Sequence, residues 1–563
     1  MNLLPLFYMI AGWQSGATDS LAMLASARRA RDSFEATRRT NLPERPSGSN
    51  GGRYEVIGRI RYWYDGGDDQ DSAPPEPPRI RQARARLLAA LDEAGAALPG
   101  DEWIAGQRVR YLLEDSQPHR AARVAEQCRA VRWWCEALGG LVRHVGGDFA
   151  GADSLFTVAL ADMPDNERCR WSDIAPLLDG ELAGRYRQLD CPGRAAFENR
   201  WWWLAQPLYS LGRNDRRTEH FARQAMVRIE QGRRTTFGLF WENDLRDVLL
   251  RYGWPTWWTR EPPKSPLVQS EPNITGHDPS PAFQFTPGAR AFDDPGQTKS
   301  EDWSPDPPQG RERYAPGYAK AFAYPNHQVS VFRRGDSCVV VAAYDLSKDT
   351  LLADQPARAA LVLTRSEHDA IVTDHETLLD RPHALVATAP CGRQLLSLEV
   401  VAPARRSVAR ARYGLSLDEN ARISDLLLLE GSDSLPTDLA GAVPHALATT
   451  RVRGDRPLGL FWEVHDLSSA GEEVTTSLTV TRRGSGWLRR AAQMIGLAAP
   501  RRDVSLEWAE VLVPRPDQAA VAGRALALDL SSLSPGPYRI EITVTARGRA
   551  AATVQRDIEV VRP

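Results

Sequence analysis

Histidine and carboxylate side chains lie close together between residues 368 and 383. The candidate metal ligands there are His368, Asp374, His375 and His383, and imidazole and carboxylate groups suit zinc or a similar ion. His368 and His375 are seven positions apart, which is not a helical metal spacing, and the stretch separates two strand-like segments. We therefore predict a solvated polar loop with no bound metal or cofactor, and keep a metal-dependent hydrolase at this stretch as an alternative.

No common enzyme motif accompanies these residues. The chain contains no G-x-S-x-G, H-E-x-x-H or Walker loop, which mark nucleophilic, zinc-dependent and nucleotide-hydrolysing sites. Its 70 basic residues are balanced by 72 acidic ones, for a formal net charge of −2, so the totals contain no basic surplus for nucleic acid. We predict a protein that is not an enzyme and does not bind nucleic acid.

Tryptophan side chains are the better candidates for binding. The chain has 17 of them. Three consecutive side chains on a helix cannot all face one core, so at least one should reach a second surface, which is either another part of the chain or a groove for a peptide or glycan. The candidate ligand- or partner-binding residues are Trp201, Trp202, Trp203, Trp254, Trp257 and Trp258.

The N-terminus bears on the compartment. Residues 3–11 form a short apolar run, and Ser15, Gly16 and Ala17 are small residues suited to cleavage after position 17. We predict a signal peptide over residues 1–17 and export to the periplasm or beyond, with the cytoplasm as the alternative if the run is not a signal. No stretch reaches about 18 apolar residues, so no transmembrane span is expected.

Cysteine usage fits either compartment. The chain has six cysteines and no C-x-x-C pair, which argues against a zinc ribbon or a thioredoxin-like site. In an exported protein Cys338 and Cys391 could bridge two strands, while free buried thiols remain the other interpretation.

Helical periodicity dominates residues 18–190. Two helix pairs are predicted, the first over residues 103–113 and 120–130 and the second over residues 132–145 and 149–161. The second pair resembles a tetratricopeptide repeat, and the matching residues are Gly140, Gly147, Asp148, Phe149, Ala152, Phe156, Ala159 and Pro164. Gly139 and Arg143 depart from that pattern, since the family usually has large apolar residues there. The resemblance implies a small helical-repeat array; an unrelated helix bundle is the alternative.

Residues 241–255 read W-x-x-D-x-R-x-V-L-x-R-Y-G-x-P. This resembles the core of the GWxTD domain, and the matching residues are Trp241, Asp244, Val248, Tyr252, Gly253 and Pro255. Phe240 replaces the family's Gly and Asn243 its Thr. The resemblance implies a small mixed domain over residues 191–260, in which residues 245–251 form a buried strand before a turn, and it implies no assigned activity.

The C-terminal half changes character twice. Residues 261–316 are rich in proline with interspersed aromatics, which favours an extended strap over the helical domain rather than a free linker. Period-two alternation follows, with short strands and turn signals typical of immunoglobulin-like or fibronectin-like antiparallel sandwiches over residues 317–435 and 436–563. A short amphipathic helix is predicted over residues 486–497.

These patterns predict a multidomain α + β protein. It has a helical-repeat region, a small GWxTD-like domain, a proline-rich strap and two β-sandwiches. The role expected from this architecture is an exported, envelope-associated scaffold that binds a partner protein. A glycan-binding envelope protein that uses the tryptophan groups is the main alternative.

Overall fold

The structure is a computed structural model. It describes residues 6–44, 54–57, 60–63, 73–178, 180–231, 243–261, 273–278, 280–305, 312–431, 434–483, 502–514 and 520–562. The predicted helix over residues 486–497 lies outside these ranges. The chain separates into two compact units: a helical unit formed by residues 1–292 and 304–320, and a β unit formed by residues 293–303 and 321–563.

The helical unit consists mainly of α-helices with one small sheet. Its elements are α1 (Leu6–Asn41), β1 (Tyr54–Ile57), β2 (Ile60–Trp63), α2 (Pro78–Ala97), α3 (Glu102–Glu114), α4 (Pro118–Glu126), α5 (Arg132–Val145), α6 (Phe149–Asp162), α7 (Asp165–Ser172), α8 (Gly180–Arg187), α9 (Cys191–Ala205), α10 (Asp215–Glu230), α11 (Asn243–Tyr252), β3 (Trp257–Glu261), β4 (Asn273–His277) and α12 (Ala289–Asp293). The sheet has the strand order β1-β2-β4-β3. Among the described residues, no helix combines the length and apolar character needed to cross a bilayer.

The helix starts follow the sequence closely. The carboxylates of Asp101, Asp148 and Asp190 accept hydrogen bonds from backbone N–H groups three residues on, at 2.9–3.0 Å. Such caps satisfy donors that a helix leaves unpaired at its N-terminus. They place the predicted helix pairs α3–α4 and α5–α6 within a few residues of their expected bounds.

Close approach of α5 to α6 depends on Gly140. A Cβ atom at this position would lie 2.8 Å from the Phe156 ring, nearer than a real Cβ contact. Phe156 is fully buried. The small residue is therefore required by the packing of this hairpin.

Residues 245–251 are helical, and the predicted buried strand is wrong. They lie within α11, where Leu245, Val248 and Leu249 are buried. A short apolar run does not distinguish a buried strand from a buried helix, and here the spacing of three and four residues decides. Gly253, with φ of +80°, follows the helix in the left-handed conformation. The strand comes later, at β3.

One core joins the parts of the helical unit that the sequence separates. A single cluster of buried side chains includes Phe34 of α1, Leu87 of α2, Trp134 of α5, Phe221 of α10 and Val248 of α11. The predicted boundary at residue 190 therefore falls inside one core.

The β unit contains the remaining elements. They are β5 (Ala321–Ala323), β6 (Asn326–Arg334), β7 (Ser337–Asp345), β8 (Pro356–Thr364), β9 (Ile371–Leu378), β10 (His383–Pro390), β11 (Gly392–Ala402), β12 (Ser407–Leu417), β13 (Leu427–Glu430), α13 (Leu439–Ala442), β14 (Arg451–Arg453), β15 (Leu458–Val464), β16 (Glu472–Arg482), β17 (Arg502–Leu512), β18 (Ala522–Leu528), β19 (Gly536–Ala546) and β20 (Ala552–Val561). Neighbouring strands are antiparallel except β5 beside β12 and β14 beside β20.

Two pairs of sheets enclose two cores. The sheets β10-β7-β6 and β5-β12-β11-β8-β9 share one buried cluster, and the sheets β13-β15-β18 and β14-β20-β19-β16-β17 share another. The predicted boundary at residue 435 is too late, because β13 pairs with β15 of the second pair. A mixed, multidomain α + β chain is thus what the structure has.

The proline-rich segment is not one strap over the helical domain. Residues 273–277 form β4, and residues 293–303 belong to the β unit, where Thr298 O accepts from Gly414 N at 3.0 Å. Residues 312–320 belong to the helical unit, where the Tyr314 hydroxyl donates to Asp215 at 2.7 Å. The segment's aromatics and charges anchor its two parts to different units.

Candidate partner-binding groove

The candidate metal ligands do not converge. The His368 side chain is 85% exposed beside Glu367, and Asp374 pairs with Arg358 at 2.6 Å. His375 and His383 lie on β9 and β10 with ring centroids 6.1 Å apart. Within the described ranges, no group of three His, Cys, Asp or Glu side chains is placed to hold a metal ion. The stretch is also not simply a loop, since residues 371–378 form β9 and pair with β8.

The tryptophan run of α9 packs inward. Trp201, Trp202 and Trp203 are only 0%, 4% and 7% exposed. Trp202 contacts Trp201 edge-on with ring centroids 4.7 Å apart, and Trp203 stacks on Tyr209. Of the two second surfaces that the sequence left open, another part of the chain is what these side chains contact: Trp202 meets His220 and Phe221 of α10. None of the three presents an indole face on which a sugar could stack.

The second tryptophan group is also engaged within the chain. Trp258 is buried and meets the half-buried Trp254 edge-on, with ring centroids 5.9 Å apart. Trp257 is half-buried and stacks on His277 with ring centroids 3.7 Å apart. These contacts fix the small sheet to the helices.

The described residues of the GWxTD-like motif have structural roles. Val248 and Tyr252 are buried, Gly253 adopts positive φ, and Pro255 lies against Gly276, where an added Cβ would be 2.6 Å from the proline ring. Trp241 and the side chain of Asp244 lie outside the described residues.

Helix α10 carries a buried polar row that the sequence analysis missed. The His144 ring places Nδ1 3.0 Å from Thr218 Oγ1 and Nε2 2.5 Å from Glu219 Oε2. Burial opposes ionisation, but Arg223 and then His144 hold the pKa of Glu219 well below its ordinary value. The Glu219–Arg223 spacing of four on a helix was the available signal.

A hydroxyl, an imidazole and a carboxylate in a row are the groups of nucleophilic catalysis. Here Thr218 is fully buried, and its hydroxyl lies 3.0 Å from the Asp215 carbonyl, to which it donates. Its proton is therefore held by the backbone, with no room for a substrate at the oxygen. We conclude that this row supports the fold.

The first turn of α10 is anchored in the same way. Asp215 accepts from Tyr314 at 2.7 Å and from Tyr318 at 3.1 Å, and its burial raises its pKa. Arg216 and Glu312 form an ion pair in which both side chains are fully buried. These contacts attach residues 312–320 to the helical unit.

A groove of about 380 Å³ is formed by α4, α5 and α6. We call it the α4–α6 groove. Its lining is Ala122, Ala125, Glu126, Cys128, Ala130, Arg132, Cys135, Glu136, Gly139, Val142, Arg143 and Leu155. Most of the side chains along its length are small and apolar, and charged side chains border it.

Gly139 explains why there is space. A Cβ there would lie 3.0 Å from Leu155 Cδ1, so any side chain at this position would reach into the cavity. Gly139 and Arg143 are the two departures from the tetratricopeptide pattern, and both line the groove. The sequence signal for this site was therefore visible as a mismatch rather than as a motif.

Opposite charges border the groove. Arg132 is 70% exposed and lies 4.0 Å from Glu136, and Arg143 pairs with Asp148 at 2.7 Å. The backbone N–H of Gly151 and then the Arg143 guanidinium lower the pKa of Asp148. Exposed pairs of this kind are weak, so an incoming peptide can exchange them for its own charges at little cost.

A cysteine pair forms one wall of the groove. Cys128 and Cys135 are joined in a disulfide, with Cα atoms 5.6 Å apart. It links the turn after α4 to the first turns of α5. The other disulfides are Cys169–Cys191 and Cys338–Cys391, so all six cysteines are paired. Of the two interpretations of Cys338 and Cys391, the bridge is the one that the structure has, and it joins β7 to the residue before β11.

A second cavity, of about 250 Å³, lies beside Trp103 and Gln107. Arg228 lies over the Trp133 ring at 4.5 Å and pairs with Glu102 at 2.7 Å. Both charged residues line the cavity, so an internal ion pair crosses it, which leaves the larger α4–α6 groove as the better candidate.

Comparison with known proteins assigns the chain to no class of protein. No protein-family model matches the chain, and no curated protein matches it. Two solved structures are similar in part: red sea bream transglutaminase, at 8% identity and a TM-score of 0.14 over 42% of this chain and 32% of that one, and a tetra-tandem repeat in the extending region of a large adhesion protein, at 13% identity and a TM-score of 0.13 over 42% and 49%.

The chain thus spans about a third of the transglutaminase and about half of the repeat structure. Similarity at this level carries no argument about function.

Proposed function

We propose that this protein is a non-enzymatic, exported scaffold of the cell envelope, and that its α4–α6 groove binds a segment of a partner protein. The observation that carries the proposal is the groove itself. It is open, has mostly small apolar side chains along its length and is bordered by weakly paired charges. A helix or extended peptide buries apolar side chains in such a groove while its polar groups meet the rim.

The family resemblances agree with this role. Paired helices with tetratricopeptide-like spacing form concave surfaces that bind peptides, and the α5–α6 hairpin has that spacing. The paired sheets of the β unit fit immunoglobulin-like or fibronectin-like sandwiches, which serve as spacers or adhesive modules. Assignment to the GWxTD group rests on Val248, Tyr252, Gly253 and Pro255 within the described residues.

Export is supported by cysteine pairing. All six cysteines form disulfides, and disulfides persist in oxidising compartments and are rare in the cytosol. The apolar run at residues 3–11 fits a signal peptide. The two alternatives have no comparable support, because the candidate tryptophans are engaged internally and the candidate metal ligands are separated.

Site-specific cross-linking in native cells tests the groove. A photo-reactive amino acid in place of Glu126, which is exposed in the groove, is expected to capture a defined polypeptide. The same replacement at Asp162, exposed on α6 but not part of the lining, is the matched control. Equal capture at both positions would contradict a specific groove.

A second variant pair tests occupancy. Gly139→Leu fills the groove and is expected to abolish capture from position 126. Gly184→Leu adds the same side chain on α8 where nothing lies within 4 Å of the new Cβ, and capture should persist. Retained capture in Gly139→Leu, with circular dichroism unchanged, would rule the groove out.

A further inference from the structure

The Cys128–Cys135 disulfide differs from its two counterparts in where it lies. Both of its cysteines are half-buried and line the α4–α6 groove. By contrast Cys338 is fully buried, and its bridge joins β7 to the residue before β11. A thiolate attacks a disulfide only along an open path to one sulfur atom, and the groove provides such a path to this bridge.

The charges around the Cys128–Cys135 disulfide also differ from those around the Cys169–Cys191 disulfide. Helix α5 begins after Val131, which supplies no side-chain cap, and its first turn contains no acidic residue. Helix α9, which begins with Cys191, is capped by the Asp190 carboxylate, which accepts from Gly193 N at 2.9 Å.

The uncapped start of α5 therefore keeps the positive end of the helix dipole for Cys135. Arg132, one turn before Cys135, adds a cation that offsets the neighbouring Glu136 carboxylate 4.0 Å from it. At α9 the Asp190 carboxylate opposes a thiolate. Of the two half-buried disulfides, the one in the groove has the better leaving group.

We propose that Cys128–Cys135 is a thiol-exchange site that captures a cysteine-bearing segment of the partner. This rests on the proposed function of the groove and adds the partner's chemistry, which is a polypeptide with an accessible thiol. The partner's thiolate attacks Cys128 Sγ and forms a new S–S bond, while the Cys128–Cys135 bond breaks and its electron pair leaves on Cys135 Sγ. No net oxidation occurs, since one disulfide replaces another.

The direction of exchange follows from the same geometry. Cys135 leaves as a thiolate stabilised by the start of α5, so the mixed disulfide forms on Cys128. Attack by Cys135 on that mixed disulfide restores the original bridge and releases the partner. The seven-residue separation keeps the two sulfurs close enough for this return.

Reduced glutathione is the probe for the test. The purified full-length chain is treated with increasing glutathione, trapped with iodoacetamide and digested for mass spectrometry. We expect glutathione first on Cys128 with Cys135 alkylated, while Cys169–Cys191 and Cys338–Cys391 stay intact. Equal or faster opening of Cys169–Cys191, or glutathione predominantly on Cys135, would overturn the proposal.

Charge variants test whether the cation beside α5, and not only the exposure of the disulfide, speeds exchange at Cys128. Arg132→Gln should slow exchange at Cys128 by about twofold to fivefold, the factor for losing one partly exposed charge interaction. Arg168→Gln, beside Cys169, is the matched control and should not change the rate at Cys128. An unchanged rate in Arg132→Gln would mean that the cation near α5 does not favour the leaving thiolate.

The two proposals fail in distinguishable ways. If glutathione exchanges at Cys128 but position 126 captures nothing in cells, the groove function is wrong and the reactive disulfide remains. If position 126 captures a polypeptide that is equally abundant in the Cys128→Ser/Cys135→Ser double variant, and no reducible adduct of it forms in the parent chain, the groove function holds and thiol capture is wrong.

Discussion

The two units stabilise their interiors by different means. In the β unit the cores are apolar strand faces, exemplified by the fully buried Leu478, Ile540 and Ile542. In the helical unit buried ion pairs link elements distant in sequence. Arg110 pairs with Glu230 and Arg216 with Glu312, and all four side chains are at most 2% exposed.

The difference arises because a strand buries one face, whereas a helix inside a bundle is buried on several sides. Alternation in a strand puts polar side chains on one face and apolar ones on the other, so a core forms with few buried charges. The Arg412–Glu399 pair of the β unit, at most 1% exposed, joins adjacent strands that are close in sequence. Helix α10 is covered on several sides, by α5, α9 and residues 312–320, so its charged side chains are buried and need partners. Apolar packing tolerates rearrangement, whereas a buried ion pair penalises loss of either member heavily.

The largest expected effect is from breaking one buried pair. Arg216→Met leaves the Glu312 carboxylate buried and uncompensated, which costs about 3–5 kcal/mol. The measurement is hydrogen exchange by mass spectrometry, because local opening of each unit is then monitored separately. Protection should fall in α10 and in residues 312–320, with β16 unchanged.

Two controls sharpen this result. The double variant Arg216→Met/Glu312→Met removes both charges and should recover most of the loss. Leu478→Ala should cost about 2–5 kcal/mol and lower protection in β16 only. If Arg216→Met affects hydrogen exchange no more than an exposed substitution such as Arg187→Gln, the ion pair does not anchor residues 312–320 to α10.

The second prediction is that two buried groups, one in each unit, make stability contributions that change with pH in opposite directions. Burial raises the pKa of Glu198, whose carboxylate accepts from Tyr186, to about 7. The carboxylate is protonated more readily in the folded than in the unfolded chain. Its contribution to stability is therefore full below about pH 4.5 and is lost as pH rises to about 7.

His465 in the β unit has the reverse dependence. Burial, and then Arg333 and Arg334, lower its pKa to about 4. Its contribution is full above the unfolded value of 6.5 and is lost as pH falls toward 4. Each group can contribute at most about 3 kcal/mol across its window.

Variants isolate these two groups from the other titrating side chains. Calorimetry at pH 5 and pH 7 on the parent chain, Glu198→Gln and His465→Asn gives the change that each group causes. Between pH 7 and pH 5 the helical unit should gain less stability in Glu198→Gln than in the parent chain. Over the same range the β unit should lose less stability in His465→Asn than in the parent chain. The same pH response in both variants as in the parent would show that neither group titrates in the folded chain as described.

The elements with strong local signals could be predicted from the sequence. The helix pairs α3–α4 and α5–α6 follow from periodicity and caps. The fold of residues 245–251 was mispredicted because seven residues that are mostly apolar fit a buried helix as well as a strand. The strap was predicted only in part. Residues 312–316 do belong to the helical unit, through Tyr314 and Asp215, whereas residues 293–303 belong to the β unit, where Thr298 bonds to Gly414 more than a hundred positions away in sequence.

The candidate site was harder to predict. The tryptophan run of α9 looked like a binding surface, but whether a helix has one covered face or several depends on tertiary packing. The α10 row depends on His144, which lies on another helix. The groove left only an indirect trace, in the two positions where the helix pair departs from its resemblance.

The smallest expected effect compares two adjacent glycines of α5 and tests the packing argument directly. Alanine favours a helix over glycine by about 1 kcal/mol. At Gly140 the new Cβ would lie 2.8 Å from the Phe156 ring, whose position is fixed by burial, so Gly140→Ala should destabilise the hairpin by about 1–3 kcal/mol.

At Gly139 the new methyl would meet Leu155 Cδ1 at 3.0 Å, at the end of a flexible side chain beside the open groove. Gly139→Ala should therefore be neutral or slightly stabilising. Hydrogen exchange in α6 measures both variants. Equal effects at the two positions would mean that α5 and α6 can separate freely, and that Gly140 is not what sets their distance.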